Sequence, residues 1–259
     1  MRRLAPGALL VIANLFGALA FAWPFVFPGS GGSRLTPYAW SVAMPVLLLV
    51  AAQTLMSRDR DIRRVTMMAT LVALAAAARP LGAGVAGLEP IWTVILLSGR
   101  ALGARAGYVI GALAIAVSAL VTGGVGPWLP YQMMVAAWVG ALPGLLPRLR
   151  GRAEVVWMSV LGLFTGMASG ALLNLWFWPT AVGLSKDIGF DPTVTPLANV
   201  VRWLHFGLLT SAGFDIPRAV ITATLLSLSA GRILPILRRA TRRASFVAVM
   251  PAPAEPLDR

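Results

Sequence analysis

The sequence has no cysteine and a single histidine, His205, in 259 residues. Disulfides, thiolate nucleophiles and cysteine-ligated metals are therefore excluded, and one histidine cannot make a histidine metal cluster. Lysine is as scarce: Lys186 is the only one, and Ser185 precedes it, so the Gly-Lys pair of a Walker A phosphate loop is missing. Charged residues make up 12% of the chain, against about a quarter in soluble domains. Hydrophobic residues make up 58%, with a mean hydropathy of +0.79. Neither a soluble globular domain nor a disordered chain has this composition. The net charge of +13 is almost all arginine. The arginines sit in short loops between apolar runs, as in cytoplasmic membrane loops, and no basic face runs along any element, which argues against nucleic acid.

A membrane-spanning helix needs about 20 mostly apolar residues. Eight candidate spans follow: 4–27, 38–56, 65–79, 90–101, 105–122, 130–147, 153–178 and 214–238. The first follows Arg2 and Arg3, but its apolar stretch is too long for a signal peptide and no small-residue cleavage site follows, so it is read as retained. Two spans are short. At about 1.5 Å per residue, 65–79 covers roughly 22 Å and 90–101 less, so they extend into 79–89 or are partly re-entrant. With both termini inside, five of the 22 basic residues fall outside, namely Arg34, Arg79, Lys186, Arg202 and Arg218. That bias supports the even count and a multi-pass protein of the cell membrane with both termini cytoplasmic. The fold class expected is an all-α integral membrane protein. Residues 1–64 form a two-span extension with a charged loop, 65–243 a six-helix core, and 244–259, rich in Pro and Ala, a disordered tail.

The loops differ by side. Inside connections are short and carry arginine, whereas outside connections are rich in Gly, Pro and Trp. The segment 179–213 holds an amphipathic stretch, 197–209, and Asp215-Ile216-Pro217 reads as an N-cap opening the last span. Ala69, Ala73 and Ala77 recur every four residues, a spacing that serves close packing inside the bundle or docking of a separate membrane partner. Gly99, Gly103, Gly107 and Gly111 straddle an inside turn and read as a helical hairpin. An interfacial aromatic belt accounts for most tryptophans at the outer helix ends. It does not account for Arg79, Glu89, Gln132 and Asn174 near the same boundary, where polar groups face a cavity or each other. Arg79 and Glu89 either pair together or contact a ligand. Gln132 beside Trp128 suits a pocket that combines stacking with hydrogen bonds. His205 is expected as a partnered interface residue. Ser169 in Met167-Ala168-Ser169-Gly170 has a superficial likeness to an intramembrane serine protease, but the only available base, His205, falls in an outer loop, so catalysis is not expected.

These residues carry a family resemblance. The stretch 79–144, with Arg79-Pro80, Glu89-Pro90-Ile91-Trp92, the glycine hairpin and Gly123-Gly124-Val125-Gly126-Pro127-Trp128-Leu129-Pro130-Tyr131-Gln132-Met133, resembles the substrate-binding membrane subunit (S component) of energy-coupling factor (ECF) vitamin transporters. The likeness covers about 65–240. It implies a six-helix core with both ends inside and an ABC importer in which a transmembrane coupling subunit and two cytoplasmic ATPases supply the energy. Ala69, Ala73 and Ala77 match the family's small-residue face toward the coupling subunit. The family's subunit captures a vitamin outside and topples in the lipid bilayer to deliver it, with no catalysis or cofactor of its own. Pocket residues expected on this reading are Trp92, Trp128, Tyr131, Gln132 and Asn174, with Arg79 or Glu89 as a charged contact. The many tryptophans suit an aromatic or macrocyclic vitamin such as a cobalamin-like corrinoid. The first two spans depart from the family pattern. The alternative is a self-contained secondary transporter or channel, which needs ionisable residues within its spans and an internal repeat; neither is read here.

Overall fold

A computed structural model describes residues 6–27, 45, 62–82, 85–147 and 149–246. The described chain is helical without strands: α1 (Pro6–Val26), α2 (Ile62–Ala78), α3 (Ile91–Leu102), α4 (Ala104–Thr122), α5 (Leu129–Leu145), α6 (Gly151–Phe177), α7 (Pro196–Thr210) and α8 (Ala212–Phe246). Seven of these coincide within a few residues with expected spans or, for α7, with the amphipathic stretch; α8 runs on past its expected end at 238. The expected second span, apart from helical Pro45, and the last thirteen residues, 247–259, lie outside the described residues. Among the described residues, four helices are long and apolar enough to cross a membrane: 62–82, 104–122, 151–180 and 212–241. The first gains its length from a 3₁₀ turn, Pro80–Gly82, after α2. By contrast α3 has 12 residues and rises about 18 Å, well short of a hydrocarbon core of about 30 Å.

Side-chain contacts give each helix a direction. Arg64 at the start of α2 donates to the carbonyl of Leu102 at the end of α3, while Arg79 beyond the end of α2 reaches Ser118 near the end of α4 and Gln132 near the start of α5. Trp138 donates to Asn14 while Phe21 meets Tyr131, so α1 and α5 are antiparallel. The helices thus share two ends. One gathers Arg64, Arg100, Glu154 and Arg238; the other gathers Arg79, Glu89, Arg218 and most of the tryptophans.

Glycine sets the closest helix contacts. A Cβ on Gly107 of α4 would lie 2.0 Å from the carbonyl oxygen of Gly140 in α5, and one on Gly99 of α3 would lie 1.8 Å from the same oxygen. Three helices therefore meet backbone to backbone, where a methyl group cannot fit. The hairpin reading of the glycine series holds only for Gly103, the corner residue at φ 94°; the rest are contact residues. A second pair, α6 and α8, uses the same device: a Cβ on Gly166 would lie 2.4 Å from the Cα of Ala219. The first helix is built into this core. Its Phe21 packs edge-on against Tyr131 at 5.2 Å, and Phe25 stacks on Trp178 at 6.0 Å.

Two expectations are corrected. Ala69, Ala73 and Ala77 are all exposed, because α2 turns Met68, Leu71, Val72, Ala75 and Ala76 toward its neighbours instead. Tight packing against the other described helices therefore does not explain them. Asp215 is not an N-cap: α8 starts at Ala212, Asp215 lies in its first turn, and the helix continues through Pro217. Pro217 is the sixth helical residue and has no N–H to give to the carbonyl of Gly213, so one bond of the ladder is missing there.

Candidate ligand-binding site

The end rich in aromatic residues is built from short-range choices of the chain. Gly87, at φ 74°, turns the connection between α2 and α3, and a Cβ there would lie 2.5 Å from the backbone nitrogen of Arg218. This close approach seats the 85–90 segment against the start of α8. Glu89 lies just before α3, and Trp92 one turn later donates its indole N–H to Glu89 Oε2 at 2.7 Å. Arg218 reaches the same oxygen through Nε at 2.5 Å and Asp215 Oδ1 through Nη1 at 2.6 Å. Ser211, between α7 and α8, donates to Asp215 Oδ2 at 2.7 Å and accepts from Asn174 of α6 at 2.8 Å. One hydrogen-bonded chain therefore runs from Asn174 through Ser211, Asp215, Arg218 and Glu89 to Trp92. It joins three of the residues expected in the pocket.

Arg79 and Gln132 meet directly. The guanidinium donates to Gln132 Oε1 at 3.2 Å and to the hydroxyl of Ser118 at 2.9 Å. Arg79 and Glu89 do not pair directly: Glu89 takes Arg218, and Arg79 takes two neutral acceptors. Trp128 and Tyr131 both face Trp176, at 6.1 and 6.0 Å. Tyr131 is fully enclosed, whereas Trp128 is exposed and donates to the carbonyl of Gly124 one turn back. All seven expected residues thus lie at one end of the bundle, in three contiguous groups.

Sequence reasoning missed Arg218, Asp215, Ser211 and Ser118. The first two carried a signal in their spacing, since Asp and Arg three apart in a first turn can pair. Ser118 carried none, being one hydroxyl in an apolar span. Among the described residues, Trp23 Nε1 in the last turn of α1 and Thr93 Oγ1 in the first turn of α3 are buried without a hydrogen-bond partner.

A cavity of about 120 Å³ opens beside this network, lined by Asn174, Trp203, Ser211 and Asp215 among others. Sites for small molecules run to roughly 300–1,000 Å³. The cavity lies under α7, which touches α6 through the Trp203 indole donating to the carbonyl of Ala171. The segment before α7 is fixed by Asn199, fully buried, which bonds both the N–H and the carbonyl of Asp191. Asp191 also accepts from the amide and hydroxyl of Thr193 and pairs with Arg202, and these hold its carboxyl below the usual range.

The protease-like constellation does not form. Ser169 is buried and donates to the carbonyl of Gly166 in its own helix, and His205 is exposed on α7. Among the described residues no group of His, Asp or Glu has the arrangement to hold a metal ion. Comparison of the chain with protein-family models, curated proteins and solved structures yields no match.

Proposed function

We propose that the chain is the membrane-embedded substrate-binding subunit of an ECF-type importer, capturing a vitamin-like micronutrient at the aromatic end and delivering it with a coupling subunit and two ATPases. The observation that carries this reading is the gathering of Arg79, Glu89, Trp92, Trp128, Tyr131, Gln132 and Asn174 at the end opposite the arginine clusters. The positive-inside bias puts the arginine clusters in the cytosol and therefore that end outside. Helices α1 and α2 both run from the arginine end to the aromatic end, the parity that one further crossing between them requires.

The exposed Ala69, Ala73 and Ala77 support docking. With no large side chain on that stripe, a partner helix can approach closely in lipid, where packing rather than the hydrophobic effect drives association. The 120 Å³ cavity beside Asn174 admits only a few heavy atoms, so a vitamin enters as α7 moves away from α6. Among the described residues each buried carboxylate in a span is already paired. Glu154 is held by Arg100 and Arg238, and Asp215 by Arg218 and Ser211. A carrier driven by protons or sodium needs a carboxylate that exchanges its cation, so the self-contained transporter ranks second.

The test is copurification from cells that express the chain with a coupling subunit and ATPases. All should be recovered together, and Ala73→Trp or Ala77→Trp should abolish this while leaving ligand binding intact. Mass spectrometry of small molecules retained by the purified chain identifies the ligand. Uptake by the isolated chain that follows an ion gradient and ignores ATP would sink the proposal.

A further inference from the structure

At the arginine end a cavity of about 780 Å³ opens between the first turn of α6 and the later part of α8. Arg150, Arg152, Arg238 and Arg239 line it, beside apolar walls that include Val156 and Leu234. Glu154 is the single carboxylate in the lining. Both its oxygens are engaged, by Arg238 in a bidentate pair and by Arg100. Arg150, Arg152 and Arg239 have no acidic partner among the described residues. A cavity with so little internal counter-charge attracts an external anion. The first turn of α6 contributes in the same sense: Arg150 at its N-cap makes no side-chain cap bond, and the positive end of a 27-residue helix favours an anion.

The apolar surroundings identify the kind of anion. Beyond the cavity, α6 presents Val156, Trp157, Val160 and Phe164 outward, each more than half exposed, along a helix long and apolar enough to span a membrane. A soluble anion makes no use of such a strip, whereas an amphiphile uses cations and strip together. We propose that this cavity binds the phosphodiester headgroup of an anionic phospholipid, with the acyl chains lying along the exposed strip of α6. The inference rests on the membrane reading alone and not on the nutrient-carrier one.

Native mass spectrometry of the full chain in non-ionic detergent, titrated with phosphatidylglycerol, tests it. Phosphatidylglycerol should remain bound, phosphatidylcholine should bind at least tenfold more weakly, and inorganic phosphate in excess should not displace the lipid. The variant R150Q/R152Q/R239Q should lose about fivefold in affinity per arginine, about a hundredfold in all. R150K/R152K/R239K should keep most of the binding, because lysine still offers a point charge to phosphate. Equal binding of the two lipids, full displacement by phosphate, or undiminished binding by the glutamine variant would each overturn the assignment. None of these readouts depends on a coupling subunit or a vitamin, so the two proposals fail separately.

Discussion

Replacing Arg218 with methionine isolates the interaction on which the aromatic end depends. The guanidinium bridges two carboxylates of unequal burial: the Asp215 side chain is 7% exposed, that of Glu89 33%. Methionine keeps the stem and its packing but removes the charge. Glu89 can then recover hydration from solvent. Asp215 cannot, and it is left as an uncompensated buried anion with Ser211 as its one donor. Removing one partner of a buried pair costs about 3–5 kcal/mol. For a chain of this size about 2–4 °C of unfolding temperature goes with each kcal/mol, so the midpoint in detergent should fall by about 6–20 °C. The double variant R218M/D215N removes the orphaned charge while the asparagine still accepts from Ser211, and it should recover at least half of that fall. Glu89→Gln should cost far less, because its oxygen is wetter and the amide still accepts from Trp92. An R218M chain that melts like its parent, or a double variant no better than the single one, would refute the argument that Asp215 depends on Arg218 for its charge.

The glycine contacts give a contrast within one residue type. Gly140→Ala places a methyl 2.1 Å from the carbonyl oxygen of Gly107 and should cost about 1–3 kcal/mol, while Gly213→Ala in α8 meets nothing within 4 Å and should be neutral or stabilising by up to about 1 kcal/mol; thermal unfolding ranks the two. Asn199→Ala strands the N–H of Asp191 and leaves its carbonyl only the Val194 N–H at 3.4 Å, at about 1–3 kcal/mol, and limited proteolysis should then cut within 181–195 before the core unfolds. The lowered pKa of Asp191 gives stability that is complete above the ordinary carboxylate range and lost as pH falls through the lower folded value. The unfolding temperatures of parent and Asp191→Asn should therefore converge as pH falls below about 4, and a gap that widens toward acid would contradict this.

The helices were legible because membrane composition leaves few alternatives. An apolar run of span length must be helical to satisfy its own backbone, and the arginine loops mark where each run ends. Even the short α3 was visible as a 12-residue run. Helix partners were less legible. The series from Gly99 to Gly111 marks a close approach but does not say to what, and the answer, the backbone of α5 at Gly140 and Ala136, lies 25 or more residues further on. The series Gly162, Gly166 and Gly170 in α6 carries the same signal, and it is read only once α8 is seen against it. The exposure of Ala69, Ala73 and Ala77 was equally out of reach, because spacing puts residues on one face without saying which face looks outward.

The site divides along the same line. Residue type and position were enough to bring Arg79, Glu89, Gln132 and Asn174 to one end, since a polar side chain at the edge of an apolar span needs a partner. Their partners were not readable, because the bonds connect positions as far apart as Glu89 and Arg218. The consequence is electrical. Arg79 and Arg218 match Glu89 and Asp215 in charge, so this network is neutral within itself, while the cavity at the other end holds four arginines against one glutamate. A neutral end that already satisfies its own ions can accept a ligand through stacking and neutral hydrogen bonds without stranding a charge. An end whose described residues carry surplus cations attracts counter-charge from elsewhere. The contrast in charge thus also divides the two proposed ligands, a nutrient at one end and a phospholipid at the other.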